Sequence, residues 1–220
     1  MNTGTAPALA AFLAAYLGDW PDRDGLTVVG SDLRTRPGWD GQVREVVGIS
    51  RPGGGVLSVP PEIADAVRAA VPGWADVPAR LPAAVGRPEA RTFAGVFRWT
   101  TAPTGLPDAG VWVPATDPRL PEWLRPFGGD ALVAFDEQGR YAAGVGVKRH
   151  NPAGMEISVG TDEAHRGRGL ASRLTAQAAR WILSTGAVPI YLHDPVNTAS
   201  DRTALAAGFP NPGWHIHGLH

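Results

Sequence analysis

The sequence predicts an α/β fold of the α+β kind, a mixed and mostly antiparallel sheet flanked by helices, and three observations in its second half predict it. The stretch "DALVAFDEQGRYAAGVGVKRH" reads as two strands, Ala131 to Asp136 and Tyr141 to Arg149, joined by the turn residues Glu137 to Arg140. "NPAG" then turns the chain again and "MEISVGT" alternates into a third strand, which makes an antiparallel meander. Beyond an arginine-glycine stretch, Leu170, Leu174, Ala178, Trp181 and Ile182 fall on one helical face, with Gly186 where a C-terminal cap belongs.

The remaining elements follow in order. "VPIYLHD", Val188 to Asp194, is a strand, and "NTASDRTALAAGF" is a shorter helix that ends at Gly208. The first half is less regular, with a helix near 6–17, strands near 27–31, 43–50 and 55–59, and a helix over about 61–71. "VPGWADVPARLPAAVGRPEA" is expected to be a connector of turns and extended chain, because its prolines and glycines break helices. The chain thus divides into an N-terminal region, 1–90, and a C-terminal domain, 91–220. "GISRPGGGVLSVPPEIADAVRAAV" also runs parallel to "GVKRHNPAGMEISVGTDEAHRGRGLASRL": strand, Arg, glycine turn, strand ending Ser-Val, helix. If that match is more than chance, the N-terminal half is a degenerate copy without the arginine-glycine loop.

Composition narrows the function classes. The chain has 220 residues, 44% hydrophobic and 19% charged, enough for a large buried core. A net charge of -1 and a pI of about 6.6 give no global basic field, so nucleic acid is not expected as a partner. The absence of cysteine excludes disulfides, thiolate metal sites and a Cys nucleophile. The apolar run Ala8 to Leu17 has no basic residues ahead of it and fits a helix better than a signal peptide. No segment reaches the roughly 18 apolar residues of a membrane span, so the expected location is cytoplasmic, with no membrane partner.

The stretch "TDEAHRGRGLASRL" carries the chemistry. A strand that feeds a helix through a loop leaves the first helical N–H groups without partners, and the helix dipole adds positive potential there. Gly167 and Gly169 permit positive φ and close approach of a bulky anion, and Arg166 and Arg168 add charge at the rim. A diphosphate fits this description. The spacing is neither that of a P-loop nor that of a dinucleotide fold, which argues against ATP and NAD.

"VGTDEAHRGRGLASRL" resembles the acyl-CoA loop of the GNAT superfamily of N-acetyltransferases, [RQ]-x-x-G-x-[GA], which Arg166, Gly169 and Ala171 match. Asn197, Ser200, Gly208 and Phe209 resemble the family's later N-x-x-[AS] segment and its terminal Gly-Phe. The resemblance covers about 93–214 and implies a GNAT-like fold with acetyl-CoA as co-substrate and no metal. It implies that the amides of Arg166, Gly167, Arg168, Gly169, Leu170 and Ala171 bind the pyrophosphate. The strand edge at Ile157, Ser158, Val159 and Gly160 would pair with the pantetheine, with Asn197 and Ser200 on its other side. A homodimer is compatible with the family.

Acetyl transfer to an amine needs the amine neutral, whereas a Lys-like amine of pKa about 10.4 is mostly protonated at neutral pH. By the resemblance, Glu156, on the strand before the loop, is the first choice of general base. His193 at a strand end is the second, with an ordinary pKa of about 6.5; Asp194 would orient it only if adjacent strand residues shared a face, which they do not. The position at which the family carries a Tyr acid is Ala204, so that role falls to water, to Ser200 or to no group; a thiol of pKa about 8.5 leaves tolerably without one. His215 and His217 would share one face of an extended segment, but no acidic or thiol ligand stands near them in sequence, and no metal site is expected. Trp99, Trp112 and Trp123 lie where the family builds its acceptor pocket, and a stacking platform competes there with plain core packing. The expected function is therefore direct acetyl transfer to a primary amine of a small molecule or peptide. A non-catalytic acyl-CoA sensor or interaction module is the alternative, and a nucleotide-phosphate binder a third.

Overall fold

The computed structural model describes residues 5–21 and 23–220. The chain forms two compact units, one made of Met1–Phe97 with Asn211–His220, the other of Arg98–Pro210.

The first unit begins with α1 (Pro7–Leu17). Proline stands at its first turn, where its missing N–H costs nothing, and Gly18 closes it at φ 96° with its N–H donating to the Ala14 carbonyl. Leu9, Phe12, Leu13 and Leu17 are buried, which explains an apolar run ending at a polar Gly-Asp pair. The strands β1 (Gly25–Gly30), β2 (Val47–Arg51) and β3 (Gly54–Val59) follow, then helices α2 (Ala64–Ala70) and α3 (Val77–Ala84) and strand β4 (Thr92–Trp99), whose last two residues belong to the second unit. The final strand of the chain, β10 (Trp214–Leu219), completes this unit's sheet in the order β1-β3-β2-β10-β4. β1 runs parallel to β3 and every other pair is antiparallel.

Helix α3 corrects the expectation of turns and extended chain across the proline-rich stretch. Pro78 lies in the first turn, where no N–H is needed, and Pro82 forgoes one bond near the end. Val77, Leu81 and Pro82 are buried, and that burial outweighs the breaker count.

In the second unit β5 (Val111–Val113), β6 (Ala131–Phe135), β7 (Tyr141–Asn151), β8 (Gly154–Thr161) and β9 (Val188–His193) lie in the order β9-β8-β7-β6-β5. β8 and β9 are parallel, and the other pairs antiparallel. The predicted meander is β6-β7-β8. A parallel pair needs a crossover, which α4 (Leu170–Ser184) provides, and α5 (Thr198–Ala206) follows β9. Leu174, Ala178 and Ile182 of α4 are buried against Val145, Val147 and Ile157 of the sheet, as the helical spacing predicts.

Candidate active site

The site starts from a fault in the sheet. β8 and β9 pair from Gly154↔Val188 to Ile157↔Tyr191 and then stop, although both strands run on. Successive residues of a strand send their N–H and C=O to opposite neighbours. The Asp162 N–H donates to Ala142 on β7, so even-numbered residues of β8 address β7. The Val188 N–H donates to Ala153, so odd-numbered ones address β9. The N–H and C=O of Val159 thus face the fork beyond the last β8–β9 pair, while Ser158 and Gly160 turn theirs toward β7.

The arginine-glycine loop lies at the end of the same strand. Asp162 accepts from the Ala164 N–H and starts a short 3-10 turn, Glu163–His165. Gly167 and Gly169 then take φ of 76° and 72°, the left-handed region in which a side chain would cost about 1–2 kcal/mol. A Cβ built on either would touch nothing within 4 Å, so the glycines serve the turn and leave open space above it. No side chain caps α4, and its first bond runs from the Arg173 N–H to the Gly169 carbonyl. The N–H groups of Leu170, Ala171 and Ser172 therefore point into that open space with the positive end of a 15-residue helix behind them. The loop and the fork fit an elongated anion that has amide groups further along its length.

Asn197 and Ser200 hold the start of α5. The Asn197 Oδ1 accepts from the Ser200 N–H at 3.0 Å, and the Ser200 Oγ lies 2.8 Å from the hydroxyl of Tyr191, the last β9 residue paired to β8. Burial raises the Tyr191 phenol above its ordinary value, against a smaller pull from Ser200, so it stays protonated. Ala204, where the family carries its tyrosine, is buried in the core.

His193 belongs to a different cluster. The fully buried Arg98 donates from Nε to the His193 Nε2 at 3.1 Å, from Nη1 to the Phe209 carbonyl at 3.0 Å, and from Nη2 to Asp201. The His193 Nδ1 donates to the backbone carbonyl of Asp194 at 2.9 Å, while the Asp194 carboxylate accepts from the Val196 N–H. Both ring nitrogens are engaged, and the carboxylate nearest the ring is Asp201, at 3.8 Å.

Glu156 lies on the face of β8 away from α4. It is 5% exposed and accepts from the Lys148 ammonium, its cross-strand partner, and from the His150 Nε2 at 2.9 Å. Burial pushes its carboxyl up, but the His150 hydrogen bond and the charges of Lys148 and His150 outweigh that, so its pKa lies below the ordinary value. Lys148 and His150 escaped the sequence reading, although period-two spacing back from the "NPAG" turn pairs Lys148 with Glu156. Arg98 and Tyr191 have no motif and could not be found that way.

Elsewhere, the rings of His215 and His217 lie 6.3 Å apart, and His217 packs at a tilt against Trp74 with its Nε2 2.8 Å from the Ser50 Oγ. Among the described residues no group of three or more His, Cys, Asp or Glu could hold a metal.

Residues 94–209, just over half of the chain, match the family model of the acetyltransferase (GNAT) family. Similar solved structures include a GNAT-family protein from Novosphingobium aromaticivorans (24% identity, 59% of this chain and 64% of that one, TM-score 0.49). Others are a GNAT-family acetyltransferase from Colwellia psychrerythraea (14%, 59% and 56%, 0.47) and a GCN5-related N-acetyltransferase-like protein from Streptococcus suis (20%, 67% and 68%, 0.45). The chain thus spans less than two thirds of the length of the first two. No curated protein matches it.

Proposed function

Because the chain belongs to the acetyltransferase (GNAT) family, we propose that it transfers an acetyl group from acetyl-CoA to a primary amine by direct attack, with no covalent enzyme intermediate. The observation that carries this reading is the fork at Val159 adjoining an uncapped α4 and a glycine loop with open space above it. When bound, acetyl-CoA supplies the acyl group as an activated thioester. The amides from Arg166 to Ala171 hold its pyrophosphate, and Arg166 and Arg168 screen the remaining charge. On the edge Ile157 to Gly160, Val159 supplies the N–H and C=O that orient the pantetheine amides, and Asn197 and Ser200 flank it through the start of α5.

Glu156 is the group to take the amine proton. Its carboxylate is held ionised, and Lys148 and His150 fix its position. His193, with both ring nitrogens engaged, is the weaker candidate. The Ser200 hydroxyl, bonded to Tyr191, takes the place left by Ala204 and donates a hydrogen bond toward the leaving sulfur. One observation favours a second reading, a non-catalytic acyl-CoA sensor: the carboxylate of Glu156 is already matched by two partners, which weakens it as a base. Turnover of acetyl-CoA with a panel of amines separates the two.

Isothermal titration with acetyl-CoA tests the common premise. Wild-type protein should bind at micromolar strength, and Gly169→Glu, which sets a carboxylate and a strained φ at the loop, should lose binding while keeping its circular dichroism spectrum. A folded wild-type protein that binds no acetyl-CoA overturns the reading.

A further inference from the structure

The two faces of the sheet at the fork differ in chemistry. Ala143, Val145 and Val147 of β7 and Ile157 and Val159 of β8 pack on the α4 side. By strand alternation Gly144, Gly146 and Lys148, with Gly160, Ser158 and Glu156 opposite them, face the other way. Three of these six are glycines, and they form a bare shelf for the 3-10 segment Glu122–Phe127. A Cβ on Gly160 would meet the Trp123 ring at 2.7 Å, one on Gly144 would meet Leu124 at 2.7 Å, and one on Gly146 would meet the Phe127 ring closer still.

Trp123 therefore packs against the β8 residue that follows Val159, at the fork. It is 39% exposed, the only exposed tryptophan among the described residues, and meets Phe127 edge to face at 6.1 Å. Trp112, by contrast, is spent against Trp181 on the α4 side. A trigonal acyl carbon held at Val159 is attacked perpendicular to its plane. In the acetyl-CoA reading the pyrophosphate sits at the uncapped start of α4, which leaves the face that Trp123 walls to the nucleophile. That face has little to offer a second cation, because Glu156 is already matched by Lys148 and His150.

We propose that Trp123 is the acceptor-binding residue and that the acceptor is a primary amine carried on an aromatic group, an arylalkylamine or aromatic amino acid, which stacks on the indole. The inference rests on the acetyl-CoA reading above. Initial rates of thiol release from acetyl-CoA test it, with 2-phenylethylamine, butylamine and spermidine as acceptors. The aromatic amine should be preferred about tenfold in kcat/KM. Trp123→Ala should abolish that preference mainly through KM, and Trp123→Phe should keep most of it. All three proteins should bind acetyl-CoA equally by titration. Equal rates with butylamine, or a preference that survives in Trp123→Ala, would each overturn the inference and leave the acetyl-transfer reading standing, whereas no turnover of any amine by a protein that binds acetyl-CoA would overturn both in favour of the sensor. Failure of the wild type to bind acetyl-CoA would overturn both.

Discussion

Glu156 carries two roles that one substitution can separate. As base it needs a negative charge; as the hub of a buried cluster it bonds Lys148 through Oε1 and His150 through Oε2, and a glutamine can keep both if its oxygen accepts from Lys148 and its NH2 donates to a His150 Nε2 that carries no proton. Glu156→Gln should bind acetyl-CoA like the wild type and lose about 10²-fold or more in transfer rate, read in the thiol-release assay. His217 gives a prediction in the other unit. Burial, with a smaller push from His215, lowers its ring to about 4 from 6.5. A depressed folded pKa means that the unfolded chain binds the extra proton first, so the stability is present above pH 6.5 and is lost as pH falls toward 4. Thermal melts at pH 7 and pH 4.5 should therefore differ more in the wild type than in His217→Gln. The burial was not visible in "HIHGLH", because Trp74 and Ser50, which lie against the His217 ring, are far away in sequence.

Among the elements, legibility followed the period of the apolar residues. α4 was readable because one face is buried and the other is not, and the meander because each turn announces itself. β4 and β10 were not: "TFAGVFRW" and "WHIHGL" lack clean alternation, and each owes its form to a strand far away in sequence, in register Trp214↔Phe97 to Leu219↔Thr92. The candidate site divides in the same way. Its loop and helix cap stand together in sequence, whereas the fork is a property of where pairing stops. The cap gives the test at this scale. Asn197 holds the first turn of α5 through the Ser200 N–H, so Asn197→Ala should cost about 1 kcal/mol in chemical denaturation. It should also weaken acetyl-CoA binding, if that turn flanks the pantetheine.

For the molecule as a whole, the two units carry the same succession of strand directions, one parallel pair followed by three antiparallel pairs. We propose that the first unit, where β1 precedes β3 in the chain whereas β9 follows β8 through α4, has no ligand cleft. Its parallel pair runs unbroken from Gly25↔Gly54 to Gly30↔Val59, with no fork to admit a ligand arm. Titration should accordingly find one acetyl-CoA per chain; two equivalent sites would contradict that view.

The position of β10 between β2 and β4 also bears on how the molecule comes into being. The second unit is a continuous stretch, Arg98–Pro210, complete before β10 is made. During synthesis the ribosome therefore releases everything that the second unit requires while the first still lacks a central strand. Until Trp214–Leu219 emerge, β2 and β4 present open backbone edges, and a nascent chain in that state offers other chains a place to pair. The first unit to be translated is the last that can close.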